Sequence, residues 1–306
     1  MRVLTPAYLT DLISMNGKLS PPAVSAFRAM VYAYYHDNPR PMAWRETADP
    51  YRILVSEIML QQTQVERVRV KYSEFLTAFP TVHQLAAAPL SDVLRVWQGL
   101  GYNRRAMYLK RCSEEIVNQF AGLFPCTIDR LQSLPGIGPY TARAVAAFAF
   151  GEAEPMIETN IRTLFIHFFF LGREKVSDSE IMPLVAATLD RDNPRQWYYA
   201  LMDYGVMLKQ THPNPGRRSR HHTQQSRFEG SNRQLRSRML REIMVTPGIT
   251  PGKLLTILAA DQEAVERNLD ALQREGFLVK RGRGYWVAGE KKEGNAAALP
   301  SRSINV

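Results

Sequence analysis

Two carboxylates and a glycine-rich hairpin are the features of this chain whose residue types and spacing suit chemistry. Glu57 sits inside the apolar run Ile53-Leu54-Val55-Ser56-Glu57-Ile58-Met59-Leu60. A carboxylate buried there is costly to ionise, and burial raises its pKa toward the range of a general acid near neutral pH. The structural alternative is an ion-paired glutamate at a helix boundary. Leu134 to Ala142 reads LPGIGPYTA, and Glu158 opens a Glu-Thr-Asn-Ile-Arg run twenty residues after Gly138. Pro135 and Gly136 suit a sharp turn out of one helix. Gly138 omits the side chain that would keep a phosphate from the backbone N–H groups of the next helix, where Thr141 also lies. An ordinary turn between two core helices is the alternative for this motif taken alone. Glu57 and Glu158 together make a two-carboxylate system. Breaking an N-glycosidic bond needs a proton on the leaving base and negative charge beside a developing oxocarbenium sugar.

Two polar segments extend the pattern. Gln61-Gln62-Thr63-Gln64 ends the apolar helix that carries Glu57, and amides there could fill the gap left by a base extruded from a duplex. Gly99-Leu100-Gly101-Tyr102-Asn103-Arg104-Arg105 supplies a flexible turn with one aromatic and two basic residues. Such a turn suits stacking on a base and holding phosphates.

The elements that must position these groups read as helices from residue 21 to about 210. Asp49 is a good N-cap and Pro50 suits a first turn, so a helix is expected over Tyr51–Gln62. Further helices are expected near 68–78, 90–100, 104–120, 141–150, 179–189 and 194–209, punctuated by Pro80, Pro89 and Pro125. Alternating strand patterns are nearly absent, so the fold class is all-α over 21–211. From His212 the chain turns rich in Pro, Gly, Ser and Arg, and 212–232 reads as an Arg-rich linker, equally suited to backbone phosphates. His212, His221 and His222 lack companions at metal-ligand spacing, and no metal site is expected. Residues 233–288 pattern as three helices and a hairpin tipped by Arg281-Gly282-Arg283-Gly284, a winged-helix-like domain whose role is open between DNA and protein contact. Residues 289–306 read as a disordered tail.

Composition sets the outer limits. The 306 residues are 45% hydrophobic, ample for a core in two domains, and carry a formal net charge of +10. That balance points to a polyanionic partner, nucleic acid first among them. Cys112 and Cys126 fit a reducing compartment and form no metal-type pair. The N-terminus does not pattern as a signal peptide, and the apolar runs are too short to span a bilayer. A cytoplasmic, nucleoid-associated monomer without membrane contact is expected.

Residues from about 40 to 210 resemble the helix-hairpin-helix glycosylase superfamily, and within it the MutY-type adenine DNA glycosylases. Ala43-Trp44-Arg45, the helix SEIMLQQTQV (56–65), GLGYNRRAMYL (99–109) and LPGIGPYTA with its distal acid carry the resemblance. It implies a fold of two helical lobes that excises adenine opposite 8-oxoguanine or guanine in double-stranded DNA. Under it, Glu57 protonates the adenine ring nitrogen, Tyr140 and Asn160 line the site, and Trp44 and Arg45 flank the base pocket. Gln62 and Tyr102 intercalate, and Asp203 hydrogen-bonds the extruded base. Tyr140 stands where lyase-type relatives carry lysine, which implies no Schiff base and a monofunctional enzyme. The chain departs from the family pattern in three places. Glu158 replaces an aspartate. The four-cysteine motif after Asp203 is missing, so no iron–sulfur cluster is expected. A winged-helix-like unit stands in place of a Nudix-like domain. The rivals are a thymine or uracil mismatch glycosylase and a non-catalytic DNA-binding regulator.

Overall fold

The computed structural model describes residues 19–224 and 227–289; most of the expected tail lies outside them. The described chain divides into two compact units, 19–87 with 104–227 and 88–103 with 228–289.

The first unit is built of helices, with an isolated β-bridge between Val176 and Ser219. Its helices are α1 (Pro21–Asp37), α2 (Pro50–Leu60), α3 (Val65–Ala78) and α4 (Val82–Ala87). The 88–103 segment holds α5 (Leu90–Trp97), and the first unit resumes with α6 (Arg104–Phe120), α7 (Ile128–Ser133), α8 (Pro139–Phe150), α9 (Thr159–Phe169), α10 (Asp178–Thr188) and α11 (Pro194–Thr211). Ser20 caps α1 and Asp49 caps α2, each accepting backbone N–H bonds ahead of a first-turn proline. The helices gather into two groups. In one, α1 returns to pack on α10 and α11, and its Phe27 meets Phe165, Phe168 and Phe169 of α9 and Trp197 of α11 at centroid distances of 5.2–6.1 Å. In the other, α2 packs on α8 and α3, and α4 on α6. Contacts of α11 with α8 join the groups. The two-lobed all-helical architecture implied by the resemblance is thus observed.

Two expectations about organisation meet a different arrangement. Residues 88–103, expected inside the helical domain, cluster with the C-terminal unit, where α5 contacts α12 (Asn232–Val245). The start of the Arg-rich stretch is folded onto the first unit. Arg218 donates to the carbonyls of Ile166 and Phe170 at 3.1 and 2.6 Å, closing the C-terminal end of α9. Val176 pairs with Arg218 and Arg220 through backbone bonds of 3.0 and 2.9 Å. A guanidinium reaching unsatisfied helix carbonyls converts what composition reads as a linker into ordered structure.

The second unit continues with α13 (Pro251–Leu258), α14 (Gln262–Arg274), β1 (Leu278–Arg281) and β2 (Gly284–Val287). The strands pair antiparallel, with Leu278 opposite Val287 and Arg281 opposite Gly284. This is the expected three helices and hairpin. The outward positions of α14 include Glu263, Glu266 and Asp270 beside Arg267 and Arg274.

Candidate active site

Packing of α2 against α8 sets the centre of the site. Glu57 belongs to the buried run of α2 from Ile53 through Met59 and is 8% exposed. Tyr140, in the first turn of α8, donates its hydroxyl to Glu57 Oε2 at 3.2 Å. Burial pushes the Glu57 carboxyl up to about 7, and Glu158 nearby adds to the rise, while the Tyr140 hydrogen bond and Arg45 oppose it. A carboxyl poised there is half protonated near neutral pH, the state a general acid needs. Tyr140 is held well above its usual range by burial first and then by Glu57, so its hydroxyl stays a donor.

Glu158 is the N-cap of α9. Its Oε1 accepts from the backbone N–H groups of Asn160 and Ile161 at 2.7 and 2.8 Å, and its Oε2 from Thr159 Oγ1 and Asn160 Nδ2 at 3.0 and 3.1 Å. Glutamate is a less usual cap than aspartate or serine. Here the side chain curls back far enough to satisfy two of the orphan N–H groups and place its charge at the positive end of the helix dipole.

The residues expected around the base pocket are arranged differently. Asp203, 1% exposed, accepts from Arg40 at 2.6 Å and from both terminal nitrogens of Arg45 at 2.7 and 2.8 Å. Its two oxygens are committed to guanidinium groups, so it anchors Arg45 rather than presenting an acceptor to a base. Arg45 in turn lies 4.5 Å over the Tyr199 ring, and Tyr199 stacks on Phe148 at 4.5 Å. Trp44 is also displaced from its expected role. It is 4% exposed and packs edge-on against Tyr72 at 5.5 Å, as core. Sequence reasoning misses Arg40, Tyr199 and Lys209, because no motif marks them and each acquires its place only through packing.

The residues expected to meet DNA sort in the same way. Gly136 takes φ +78°, and a Cβ there would lie 2.5 Å from that of Tyr108, whereas Gly138 is exposed with nothing within 4 Å of the position a Cβ would take. The first glycine is therefore a packing and backbone requirement, and the second leaves open the approach to the N-terminus of α8. Thr141 is 4% exposed and its hydroxyl takes the Gln61 amide at 3.3 Å, so its side chain is not a surface contact. Arg105 corrects a further expectation. Rather than holding phosphates it is 9% exposed and caps α2, donating to the carbonyls of Ile58 and Met59 at 2.9 Å each, to that of Gln61, and to Thr63 Oγ1 at 3.0 Å. Arg105 thereby shapes the turn at whose tip Gln62, exposed, adopts φ +55°. Arg104 is exposed. Tyr102, in the second unit, adopts φ +49°, and the Arg233 guanidinium lies 5.1 Å over its ring.

Known proteins share this framework. Residues 55–186 match the model of the HhH-GPD superfamily of base excision DNA repair proteins. An adenine DNA glycosylase of Mycolicibacterium smegmatis is 32% identical over 284 residues, covering 87% of this chain and 97% of that protein. The chain belongs to the HhH-GPD superfamily. This HhH-GPD chain is also 33% identical over 197 residues to the adenine DNA glycosylase of Homo sapiens, a match over 60% of this chain and 36% of that protein. A thymine/uracil-DNA glycosylase of Pyrobaculum aerophilum is 31% identical over 185 residues, 58% of this chain and 80% of that one. Among solved structures, a thermostable thymine-DNA glycosylase superposes with a TM-score of 0.54 at 24% identity, covering 60% of this chain and 86% of its own. A trapped endonuclease III–DNA covalent intermediate gives 0.53 at 17%, covering 62% and 88%. Both likenesses concern the fold.

Proposed function

We propose that the protein is a monofunctional base-excision DNA glycosylase that hydrolyses the N-glycosidic bond of adenine mispaired with 8-oxoguanine or guanine in double-stranded DNA. The observation that carries this reading is the pairing of a buried Glu57, poised near neutral pH and bonded to Tyr140, with the charge of Glu158 held in place at the start of α9. Likeness to the mycobacterial adenine DNA glycosylase over most of the chain supports adenine as the base.

In the proposed step the target nucleotide leaves the stack. Glu57 passes its proton to a ring nitrogen of the base. The bond from the anomeric carbon to the base breaks and its electron pair departs with the base. Glu158 faces the positive charge that develops on the sugar. Water then adds to the anomeric carbon and gives up a proton, leaving an abasic strand. Tyr140 offers no amine for a Schiff base, which supports hydrolysis without strand cleavage. A thiolate-held cluster takes four cysteines, and the chain has two, which supports a cofactor-free enzyme. The partner is a mismatched or oxidised duplex, engaged by a monomer. No helix among the described residues is long and apolar enough to cross a membrane.

The likeness to the thymine/uracil-DNA glycosylase favours one second reading, a mismatch glycosylase for those bases. Single-turnover excision on A:8-oxoguanine, A:G, T:G and U:G duplexes separates them. Adenine release from the first two is expected; release of thymine or uracil alone would transfer the chain to the second reading. No excision from any duplex would make it a non-catalytic DNA-binding protein.

A further inference from the structure

The last turn of α11 carries a half-buried lysine that the mechanism above does not use. Lys209 Nζ donates to Asn160 Oδ1 at 2.8 Å, and Asn160 Nδ2 donates to Glu158 Oε2 at 3.1 Å. We infer that Lys209 is a positioning residue for the Glu158 carboxylate, acting through the side-chain amide of Asn160.

Direction is what makes the chain of bonds informative. An ammonium has donors only, so the Asn160 group that meets it must be the carbonyl oxygen. The amide nitrogen is then left facing Glu158. A flipped amide would set a carbonyl oxygen against the carboxylate and an amide N–H against the ammonium, so Lys209 and Glu158 hold Asn160 in one orientation from opposite sides.

A second observation comes from the same face of α11. Gly205 lies four residues before Lys209, one turn up the helix. A Cβ at Gly205 would stand 2.2 Å from the backbone oxygen of Asn160. The missing side chain brings α11 against α9 at Asn160 itself, and Lys209 grips the side chain of that same residue. Burial lowers the Lys209 pKa; Glu158 opposes that by favouring the ammonium, and Arg162 reinforces it.

Excision from the A:8-oxoguanine duplex under single-turnover conditions tests the inference, with duplex Kd and thermal midpoint measured on every variant. Lys209→Met should slow excision about thirtyfold, within the loss that a misplacement of roughly 1 Å brings, while Kd stays within about threefold. Lys209→Arg, which keeps donors and charge, should recover most of the rate. In an Asn160→Ala background Lys209→Met should slow nothing further, since its route to Glu158 is gone. Wild-type rates in Lys209→Met would overturn the inference, as would an equal slowing with and without Asn160. Borohydride trapping that depends on Lys209 would also overturn it, because the amine would then act on the sugar directly. Lys209's role rests on the glycosylase reading but fails separately from it. Excision by wild type with an indifferent Lys209→Met removes Lys209 alone, and no excision by wild type removes both.

Discussion

Under the proposed function, Glu57 serves chemistry at the expense of stability. Its carboxyl is raised from 4.5 to about 7 in the folded chain, so the fold binds a proton more tightly than the unfolded chain does. The sign follows from linkage: relative stability is fullest below pH 4.5 and is lost as pH rises through 7. Glu57→Gln removes that dependence. Thermal melts at pH 8 should therefore show the variant more stable than wild type by roughly 3 kcal/mol, since each tenfold change in proton affinity is worth about 1.4 kcal/mol. The gap should be smaller at pH 5. The same variant should lose excision while keeping duplex affinity, and wild-type excision should fall as pH rises above 7, because the acid form supplies the proton. Near wild-type excision by Glu57→Gln would remove Glu57 from the mechanism. Glu158 joins charge and cap in one side chain. Glu158→Ala should lose about 1 kcal/mol of stability as a cap and about 10²–10³ in rate as a preorganised charge. Glu158→Asp, itself a favoured cap, should keep both in part. Equal inactivity of the Asp and Ala variants would show that the carboxylate must sit where only glutamate puts it.

At the scale of elements, the turn between α7 and α8 separates two jobs that one motif conceals. Gly136→Ala should destabilise by about 2–4 kcal/mol, from a left-handed backbone and a Cβ driven against Tyr108. Gly138→Ala should leave stability within about 0.5 kcal/mol, because the site is open, yet weaken duplex binding if a phosphate docks on the N-terminus of α8. Unchanged affinity in a stable Gly138→Ala would dissociate that helix end from the phosphate. Arg105 is the counterpart at the end of α2. Arg105→Ala should cost about 3 kcal/mol, since it strands buried carbonyls that one guanidinium now serves. Arg105→Lys should recover little, because a single ammonium cannot span Ile58, Met59, Gln61 and Thr63 together. A phosphate-contact role would instead give a stable protein with weakened binding, and chemical denaturation beside a binding curve distinguishes the two.

For the whole molecule, a net charge of +10 leads to the expectation that duplex affinity falls steeply with salt. Arg218 of the Arg-rich stretch is committed to the end of α9, so not all of that charge is available to phosphates. This segment is secured by a guanidinium and a pair of backbone bonds to Val176, contacts that need no metal. Purified protein should therefore be colourless, contain iron well below stoichiometric amounts, and melt at the same temperature with and without chelator. Stoichiometric iron and sulfide would contradict this account.

Much of the site is legible without the fold, for a local reason. Glu57, Tyr140, Glu158 and the two glycines lie in short strings whose composition is unusual for their surroundings: a charge in an apolar run, glycines at a helix start, an acid opening a helix. Helix periods and caps act over a few residues, so α2, α6, α8 and α13 are also foreseeable. The sequence by itself therefore determined the helical class, the carboxylate in an apolar helix and the turn. What tertiary structure decided were the partners. Asp203 and Arg105 are ordinary polar residues in sequence, and only the approach of Arg40 and Arg45, or of the α2 carbonyls, turns them from surface contacts into buried anchors. Lys209 gains its meaning the same way, because Asn160 lies 49 positions earlier and meets it only where Gly205 lets two helices touch. Burial and hydrogen-bond direction belong to pairs of distant residues, and no local pattern carries them.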